Sequence, residues 1–410
     1  MKATNHIILM ATVGLVSFSM AEENYQAFFA QTNHTPIPLL EIRARYEYGN
    51  QENKSDSNAA TIRARVGLQS QDYNGFSGLI EFEATRTADT QSYNSGISGD
   101  SNKTAIADPE STELNRLQLQ YKKDDHLAIF GRQRIILNNA RFVGNVGWRQ
   151  NEQTYDAVYY KNTMIENLAI EYAYLDNVHR IFGSDAAYDT QKWESDSHLI
   201  NASYTGLKGH TFKAYAYLLD FENAAANSSD TLGANYEFKG ALSDNYNVTA
   251  YAEFAYQQDA ANNPLDYDAI YLHLMASVAR EGWNGVLGYE LLGSDSSNTG
   301  SFKTPLATGH KFSGWNDQFL STPEDGLNDF YVGIGIPVPK VPMKLIYHHF
   351  WADNGSATYG NEIDYLAIRK INPKTTAIAK ASYFIACNGN KGNSGDSDRF
   401  RFSVELNYKY

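Results

Sequence analysis

Hydrophobic and polar residues alternate one by one along many short stretches of this chain. The stretch LLEIRARYEY (39–48) places an aliphatic or aromatic residue at every second position, with Glu or Arg between them. ATIRARVGLQ (60–69) and the last residues, RFRFSVELNYKY (399–410), repeat the arrangement. Because successive side chains of a β-strand point to opposite faces, the alternation predicts strands with one apolar and one polar face.

About eighteen segments carry this alternation, and the connections between them fall into two classes. Short connections such as KKDDH (122–126) and INPKT (371–375) alternate with long polar ones, among them 87–113, 135–152, 176–196 and 293–328. The predicted strands lie near residues 40–48, 60–69, 76–86, 115–122, 127–134, 153–161, 167–175, 197–205, 211–219, 231–239, 247–257, 268–278, 285–292, 329–336, 343–351, 363–370, 376–385 and 399–410.

Short turns that alternate with long polar loops are typical of an outer-membrane β-barrel, whose apolar faces meet lipid and whose polar faces line a wet lumen. The predicted fold is therefore all-β: a transmembrane antiparallel barrel of about 18 strands, with periplasmic turns and extracellular loops. The last strand closes it against the first, and its final Tyr410 resembles the signal that hands barrels to the assembly machinery. A soluble solenoid or sandwich is less favoured, because a dry core does not need so many polar inward positions.

The first residues have the pattern of a secretory signal peptide. Lys2 precedes an apolar run over 7–18, and Ser19, Met20 and Ala21 form a small-x-small cleavage sequence. The apolar run is shorter than a membrane-spanning helix requires. We therefore predict a signal peptide over 1–21, a periplasmic lead-in over 22–39 and the barrel over 40–410.

Composition narrows the class of protein further. The single cysteine, Cys387, excludes an intramolecular disulfide framework. A total of 29 tyrosines together with a mean hydropathy of −0.47 fits strands with unlike faces and aromatic girdles at two interfaces. The net charge of −13 argues against nucleic acid as a partner, because binding nucleic acid requires a basic surface.

The polar faces of the early strands are rich in arginine. Folding the first two strands about residues 49–58 brings the pair Arg43 and Arg45 nearly opposite the pair Arg63 and Arg65. Like charges that face each other across a strand pair destabilise a sheet, so this cluster needs counter-charges or a function. Further arginines continue the wall and the loop after it: Arg116, Arg132, Arg134, Arg141 and Arg149.

Two interpretations of these arginines stay open. We favour a basic ladder that passes anions, because rings of Arg or Lys select anions in pores and guanidinium groups bind carboxylates in a bidentate geometry. The alternative is a salt-bridged lattice, in which Glu81 and Glu83 of the third strand neutralise Arg63 and Arg65.

Two stretches resemble the alginate-export family of outer-membrane proteins. These are GRQRIILNNARFVGNVGWRQNEQTYDA (131–157) and TPLATGHKFSGWNDQFLSTPEDGLNDFYVG (304–333). The resemblance implies an eighteen-stranded monomeric porin with an electropositive constriction that passes polymannuronate and is partly gated by loops. The exporter that defines the family has a long periplasmic turn near its C-terminus, whereas INPKT (371–375) is short, so the resemblance does not extend to that gate.

The resemblance also assigns individual residues. It places Arg132 and Arg134 on the basic wall of the family. It places three further residues, Arg141, Trp148 and Arg149, in a first inward loop segment. Lys311 and Trp315 fall in a second such segment. The positions of Arg43, Arg45, Arg63 and Arg65 follow from the alternation alone.

No enzyme motif is present in the sequence. The histidines are scattered, without a nucleophile or a zinc motif beside them, and the adjacent His348 and His349 point to opposite faces of a strand. Glu81 and Glu83 are better explained as arginine partners than as a glycosidase pair. We expect no cofactor. Calcium in the loops 293–300 or 388–398 is a weaker alternative, because neither has the ligand order of a calcium loop.

These observations predict an outer-membrane porin that passes an alginate-like acidic polysaccharide through an arginine-lined lumen by passive diffusion. The alternatives are an uptake channel for acidic oligosaccharides, a general anion-preferring porin, and a structural barrel that does not conduct. The expected partners are the acidic saccharide, outer-membrane lipid and the barrel-assembly machinery, with a periplasmic scaffold if the role is export. We expect a monomer.

Overall fold

The computed structural model describes residues 35–243, 245–296, 299–387 and 396–410, so the predicted signal peptide and most of the lead-in lie outside it. Eighteen strands occur in these residues, and each matches a predicted one. They are β1 (Ile37–Gln51), β2 (Ser57–Gln69), β3 (Phe76–Thr87), β4 (Ser111–Lys123), β5 (His126–Gln133), β6 (Thr154–Asn162), β7 (Leu168–His179), β8 (Lys192–Tyr204), β9 (His210–Leu219), β10 (Ser229–Ser243), β11 (Tyr246–Asp259), β12 (Asp268–Arg280), β13 (Trp283–Leu292), β14 (Leu327–Ile336), β15 (Met343–Trp351), β16 (Thr358–Asn372), β17 (Thr375–Ala386) and β18 (Arg399–Lys409).

The strands form one antiparallel sheet that closes on itself. β1 pairs with β2 on one side and with β18 on the other, so that Ala44 lies between Ile62 and Leu406. The backbone N–H of Tyr410 donates to the carbonyl of Leu40 at 2.9 Å. The predicted closure of the last strand against the first is therefore confirmed, and with it the predicted barrel.

The two faces of the sheet differ as the alternation predicts. Apolar side chains point outward and are widely exposed, for example Ile62 at 50%, Phe82 at 53% and Phe130 at 66%. Polar side chains of the same strands point inward, and Arg63 and Glu83 are almost fully buried there. An apolar belt around a polar interior is the arrangement that a bilayer requires. The protein is an outer-membrane barrel.

The connections separate into two rims. Short turns join β4 to β5 and β16 to β17, where only residues 373–374 lie between the strands. Long connections at the opposite rim include three segments that we name loop A (88–110), loop B (134–153) and loop C (293–326). Among the described residues no helix is long and apolar enough to cross a membrane, and the single α-helix, α1, spans Tyr188–Gln191.

Loops B and C fold into the barrel and pack against one side of it. The two loops bind each other through backbone hydrogen bonds, from Gly144 N to Leu306 O at 2.9 Å and from Thr308 N to Ala140 O at 3.0 Å. Phe142 of loop B is the centre of an aromatic cluster. Its ring centroid lies 5.1–6.2 Å from those of four rings on β9, β12 and loop C: Tyr215 (5.5 Å), Tyr217 (6.2 Å), Tyr271 (5.1 Å) and Phe302 (5.7 Å).

This packing fills the half of the lumen beside β9 and β12 with side chains. Phe142, Tyr217, Tyr271 and Phe302 are almost completely buried, so packed side chains occupy this side of the lumen. A passage is left on the opposite side, beside β1, β16, β17 and β18, and the candidate site lies there.

Candidate translocation pathway

Wall arginines hold loop B in place near β1 and β2. Arg43 donates from Nη1 to the carbonyls of Gly147 (3.1 Å) and Arg149 (2.9 Å). Arg45 donates to the carbonyl of Trp148, and Arg63 donates to that of Gln150 at 3.1 Å. Because loop carbonyls use several of their N–H groups, these guanidinium groups fix the loop as well as carrying charge.

Each of the nine predicted lumenal arginines also forms an ion pair. The register explains part of this, because Arg65 lies opposite Glu41 on β1 and Glu83 on β3, while Arg43 lies opposite Arg63. The partners are Glu405 for Arg43 (3.4 Å), Asp108 for Arg45 (3.0 Å), Glu41 for Arg63, Glu83 for Arg65, Glu81 for Arg116 (2.8 Å), Asp156 for Arg132 (2.8 Å), Glu152 for Arg134, Glu290 for Arg141 (2.7 Å) and Glu47 for Arg149 (3.2 Å).

These pairs form a salt-bridged lattice, the alternative interpretation of the arginines, although its partners differ in part from the expected ones. Glu83 does bind Arg65, but Glu81 binds Arg116 instead of Arg63. The register of β2 and β3 places Glu81 opposite Gly67 and Arg63 opposite Thr85, and a bulge in β4 brings both Asn115 and Arg116 within reach of Glu81. Arg63 obtains its carboxylate from Glu41 on the other neighbouring strand.

The passage narrows to a throat between loops B and C and the wall. The throat encloses about 20 Å³, which is room for about one water molecule. Four cationic side chains and one carboxylate line it, together with aromatic and small residues. The charged lining residues are Arg45, Glu47, Arg149, Lys380 and Arg401, and the aromatic ones include Trp148, His310 and Trp315.

A hydrogen-bond chain connects the wall of the throat to loop C. Lys380 Nζ donates to His310 Nε2 at 2.7 Å, and His310 Nδ1 lies 2.7 Å from Asp317 Oδ1. Because Nε2 accepts from the ammonium, the imidazole is neutral and its proton is on Nδ1. Burial lowers the pKa of His310 to about 4, although the carboxylate of Asp317 opposes this shift. The ammonium of Lys380 is therefore the positive charge that this series of hydrogen-bonded residues presents to the throat.

Aromatic rings contribute part of the throat surface. The ring centroids of Trp148 and Trp315 are 6.1 Å apart, one from each inward loop. The ammonium of Lys380 lies 4.6 Å from the centroid of the Trp148 ring, in a cation–π arrangement. Both tryptophans lie on loops that fold into the barrel, Trp148 on loop B and Trp315 on loop C.

A chamber lies on each side of the throat. The outer chamber has a volume of about 480 Å³, is lined largely by loops A, B and C, and shares Arg149, His310 and Arg401 with the throat. The inner chamber has a volume of about 430 Å³ and shares Arg45 and Trp148 with the throat. Because they share lining residues, the two chambers and the throat lie next to one another between the long-loop rim and the short-turn rim, and we call this series of cavities the route.

The predicted residues divide between this route and the rest of the wall. Six of them line it, namely Arg43, Arg45, Trp148, Arg149, Lys311 and Trp315. The other six line neither the throat nor the two chambers: Arg63, Arg65, Arg116, Arg132, Arg134 and Arg141.

Several residues of the route were not predicted. Lys380 and Arg401 occupy inward positions of β17 and β18, so the alternation of those strands could have identified them. His310 and Asp317 lie in loop C, where no periodicity assigns a direction to a side chain. Their position depends on how the loop folds back into the barrel.

Solved structures of similar shape support the fold. The structure of Pseudomonas aeruginosa OpdK with vanillate superposes with a TM-score of 0.69 at 14% identity, and covers 91% of this chain and 98% of that one. The chain has the fold of an outer-membrane porin. Two Acinetobacter baumannii proteins match comparably, both with a TM-score of 0.69. OccAB3 is 13% identical over 91% of this chain and 99% of its own, and OccAB1 is 12% identical over 92% and 97%.

Comparisons of the sequence give no such match. No protein-family model matches the chain, and no curated protein matches it. The resemblance to the alginate-export family therefore stays a prediction, and identities of 12–14% to the structural neighbours above carry the fold alone.

Proposed function

We propose that the protein is a passive outer-membrane channel for the uptake of small anionic solutes. The observation that carries the proposal is the ammonium of Lys380 in the throat, which has no carboxylate partner among the described residues, whereas Arg45, Arg149 and Arg401 are each paired with carboxylates. An anion in so narrow a passage loses water on several sides and gains attraction from this ammonium, whereas a cation is repelled.

The size of the throat supports small solutes over a polymer. At about 20 Å³ it admits little more than one water molecule in this conformation, so a solute passes only when side chains of loops B and C move aside. Among the structural neighbours, OpdK is named as a complex with vanillate, which is a small carboxylate. Flux through a passive channel follows the concentration gradient of the solute. We infer uptake, because the gradient of a nutrient that the cell consumes points inward.

Acidic oligosaccharides, including an alginate-like polyuronate, are the second candidate. Trp148 and Trp315 favour it, because aromatic rings 6.1 Å apart in a narrow passage provide faces on which sugar rings stack. In both cases we infer a monomer without enzymatic activity or a cofactor.

The test is the reversal potential of the refolded protein in a planar bilayer under a KCl gradient. The proposal requires clear preference for chloride over potassium. Swelling of liposomes that contain the protein then separates the two candidates. Faster entry of acetate and succinate than of neutral sugars of equal size supports small anions, whereas block by oligouronates at low concentration supports the saccharide. A preference for potassium would reject both candidates.

A further inference from the structure

At the short-turn end of β16 and β17, the inward-facing positions change from polar to aliphatic residues. Glu362 and Asp364 point inward on β16, so Leu366 and Ile368, which follow at the same spacing, point inward as well. The register places Ile368 opposite Ile378 and places Leu366 opposite Lys380. Three large aliphatic side chains therefore face the lumen at this end of the barrel.

A fourth aliphatic side chain approaches from loop B. Ile136 is 50% exposed, as are many lipid-facing residues, but it lies next to Trp148 and Ala140 on the inner chamber and not in the apolar belt. The inner chamber is lined by all four of these residues, Ile136, Leu366, Ile368 and Ile378. Aliphatic surface that stays exposed to a water-filled passage gains nothing in stability, and such patches mark binding sites.

Cations border this apolar patch. Lys311 of loop C is exposed and lines the same chamber, with its ammonium 2.7 Å from the carbonyl of Asn139. Arg43 also lines the inner chamber. Glu405 is the single carboxylate among the lining residues, and it forms ion pairs with Arg43 (3.4 Å) and Arg45 (3.0 Å). Lys344 lies opposite Leu366 on the inward face. The chamber therefore combines an aliphatic wall with an excess of positive charge.

This combination fits one class of solute better than others. A carboxylate with a hydrocarbon body can place the carboxylate at Lys311 and the hydrocarbon on the aliphatic wall. A sugar acid of equal charge would bring its hydroxyl groups against Leu366, Ile368 and Ile378, which offer no hydrogen-bond partner, and the loss of hydration would oppose binding. At about 430 Å³ the chamber is within the usual size range of small-molecule pockets.

We propose that the inner chamber is a binding site for amphiphilic monocarboxylates, with Ile136, Leu366, Ile368 and Ile378 as the residues that determine specificity. The proposal rests on the proposed function and names the solute class of the same channel. Uptake then favours carboxylates with apolar bodies over uronates of the same charge.

The experiment measures binding from the interruption of single-channel KCl current by acetate, butanoate, hexanoate and glucuronate. Full burial of one methylene raises affinity about fourfold, and contact with one wall gives about half of that free energy, or about a twofold gain. From acetate to hexanoate the four added methylenes are therefore expected to increase affinity about 16-fold. Glucuronate is expected to bind no more tightly than acetate.

Two loop variants provide a matched pair. Ile136→Ser removes aliphatic surface from the inner chamber, and Leu320→Ser removes a comparably exposed side chain (55%) from the outer chamber. Neither residue lies in a strand, so both barrels are expected to form. Ile136→Ser should reduce the preference for hexanoate over acetate at least twofold, and Leu320→Ser should leave it unchanged. Lys311→Gln should weaken all four anions without changing the dependence on chain length.

Three results would overturn the inference: affinity that does not depend on chain length, tighter binding of glucuronate than of hexanoate, or equal effects of the two serine variants. Failure of the proposed function gives a different result. In that case the wild-type channel shows no anion preference in the KCl gradient, whatever the order of the carboxylates.

Discussion

Replacing Lys380 by glutamine should change the ion selectivity of the channel more than any other single substitution in the throat. The variant keeps the length and much of the polarity of the side chain but removes the ammonium that lies 4.6 Å from the Trp148 ring. A permeating anion that takes a similar separation gains about 0.9 kcal/mol from one cation at the dielectric constant of water, and about 3.6 kcal/mol at the effective value of 20 near protein surfaces.

The smaller figure already predicts a measurable effect. The substitution weakens the attraction of an anion by about 0.9 kcal/mol and relieves the repulsion of a cation by a similar amount. The ratio of chloride to potassium permeability should therefore fall about 20-fold or more. The measurement is the reversal potential in a planar bilayer under a KCl gradient at moderate ionic strength, because high salt would screen the charge.

Two variants control for folding and position. Lys380→Arg keeps the charge and should retain most of the selectivity. Lys239→Gln removes an ammonium that is 64% exposed and paired with Glu237 at the end of β10, so it should have little effect. An unchanged reversal potential in a folded Lys380→Gln channel would refute the reasoning, because the throat charge would then not set selectivity.

The remaining predictions concern the lattice, loop B and the buried histidine. Arg63→Ala should destabilise the barrel by about 3 kcal/mol, because it removes the nearer arginine from Glu41, which keeps only Arg65 at 3.8 Å, and takes the donor away from the carbonyl of Gln150. Arg132→Ala, whose pair with Asp156 is partly exposed, should cost about 1 kcal/mol or less. Urea unfolding of the refolded proteins measures both, and equal losses would contradict a structural role for Arg63. Phe142→Ala removes the centre of the aromatic cluster and should lower the free energy of unfolding by about 3–5 kcal/mol. Loop B should then be held less firmly, and single-channel conductance should rise. An unaltered conductance would show that the other contacts of loop B hold it. The folded throat prefers neutral His310, whose pKa is about 4 there and 6.5 in the unfolded state, so the unfolded state binds more protons between these two pH values. The closed loop arrangement therefore has its full stability above pH 6.5. Its free energy of unfolding falls by about 3 kcal/mol as the pH decreases to about 4. Current noise should therefore increase as the pH is lowered from 7 to 4 in the wild type and less so in His310→Gln, and identical pH profiles would exclude the histidine as the cause.

The sequence alone was sufficient for the fold because a barrel wall is a repetitive structure. Each strand repeats the same two-residue period, and the register follows from the pleat and from short turns such as the one at 373–374. The outward position of Ile62 and Phe82 and the inward position of Arg63 and Glu83 could therefore be predicted residue by residue. Even the near opposition of Arg43 and Arg63 followed from folding one hairpin.

Only the tertiary structure decided how the lumen works. Loops A, B and C have no periodicity, so nothing in their sequences shows that Asp108, Glu152 and Asp317 reach the arginines of the wall. These carboxylates neutralise the charges that alternation alone left unpaired, and they shift the cationic role in the throat to Lys380. Local patterns specify a strand because its contacts are local, whereas the passage depends on contacts between segments more than a hundred residues apart in the chain, such as Arg149 with Glu47.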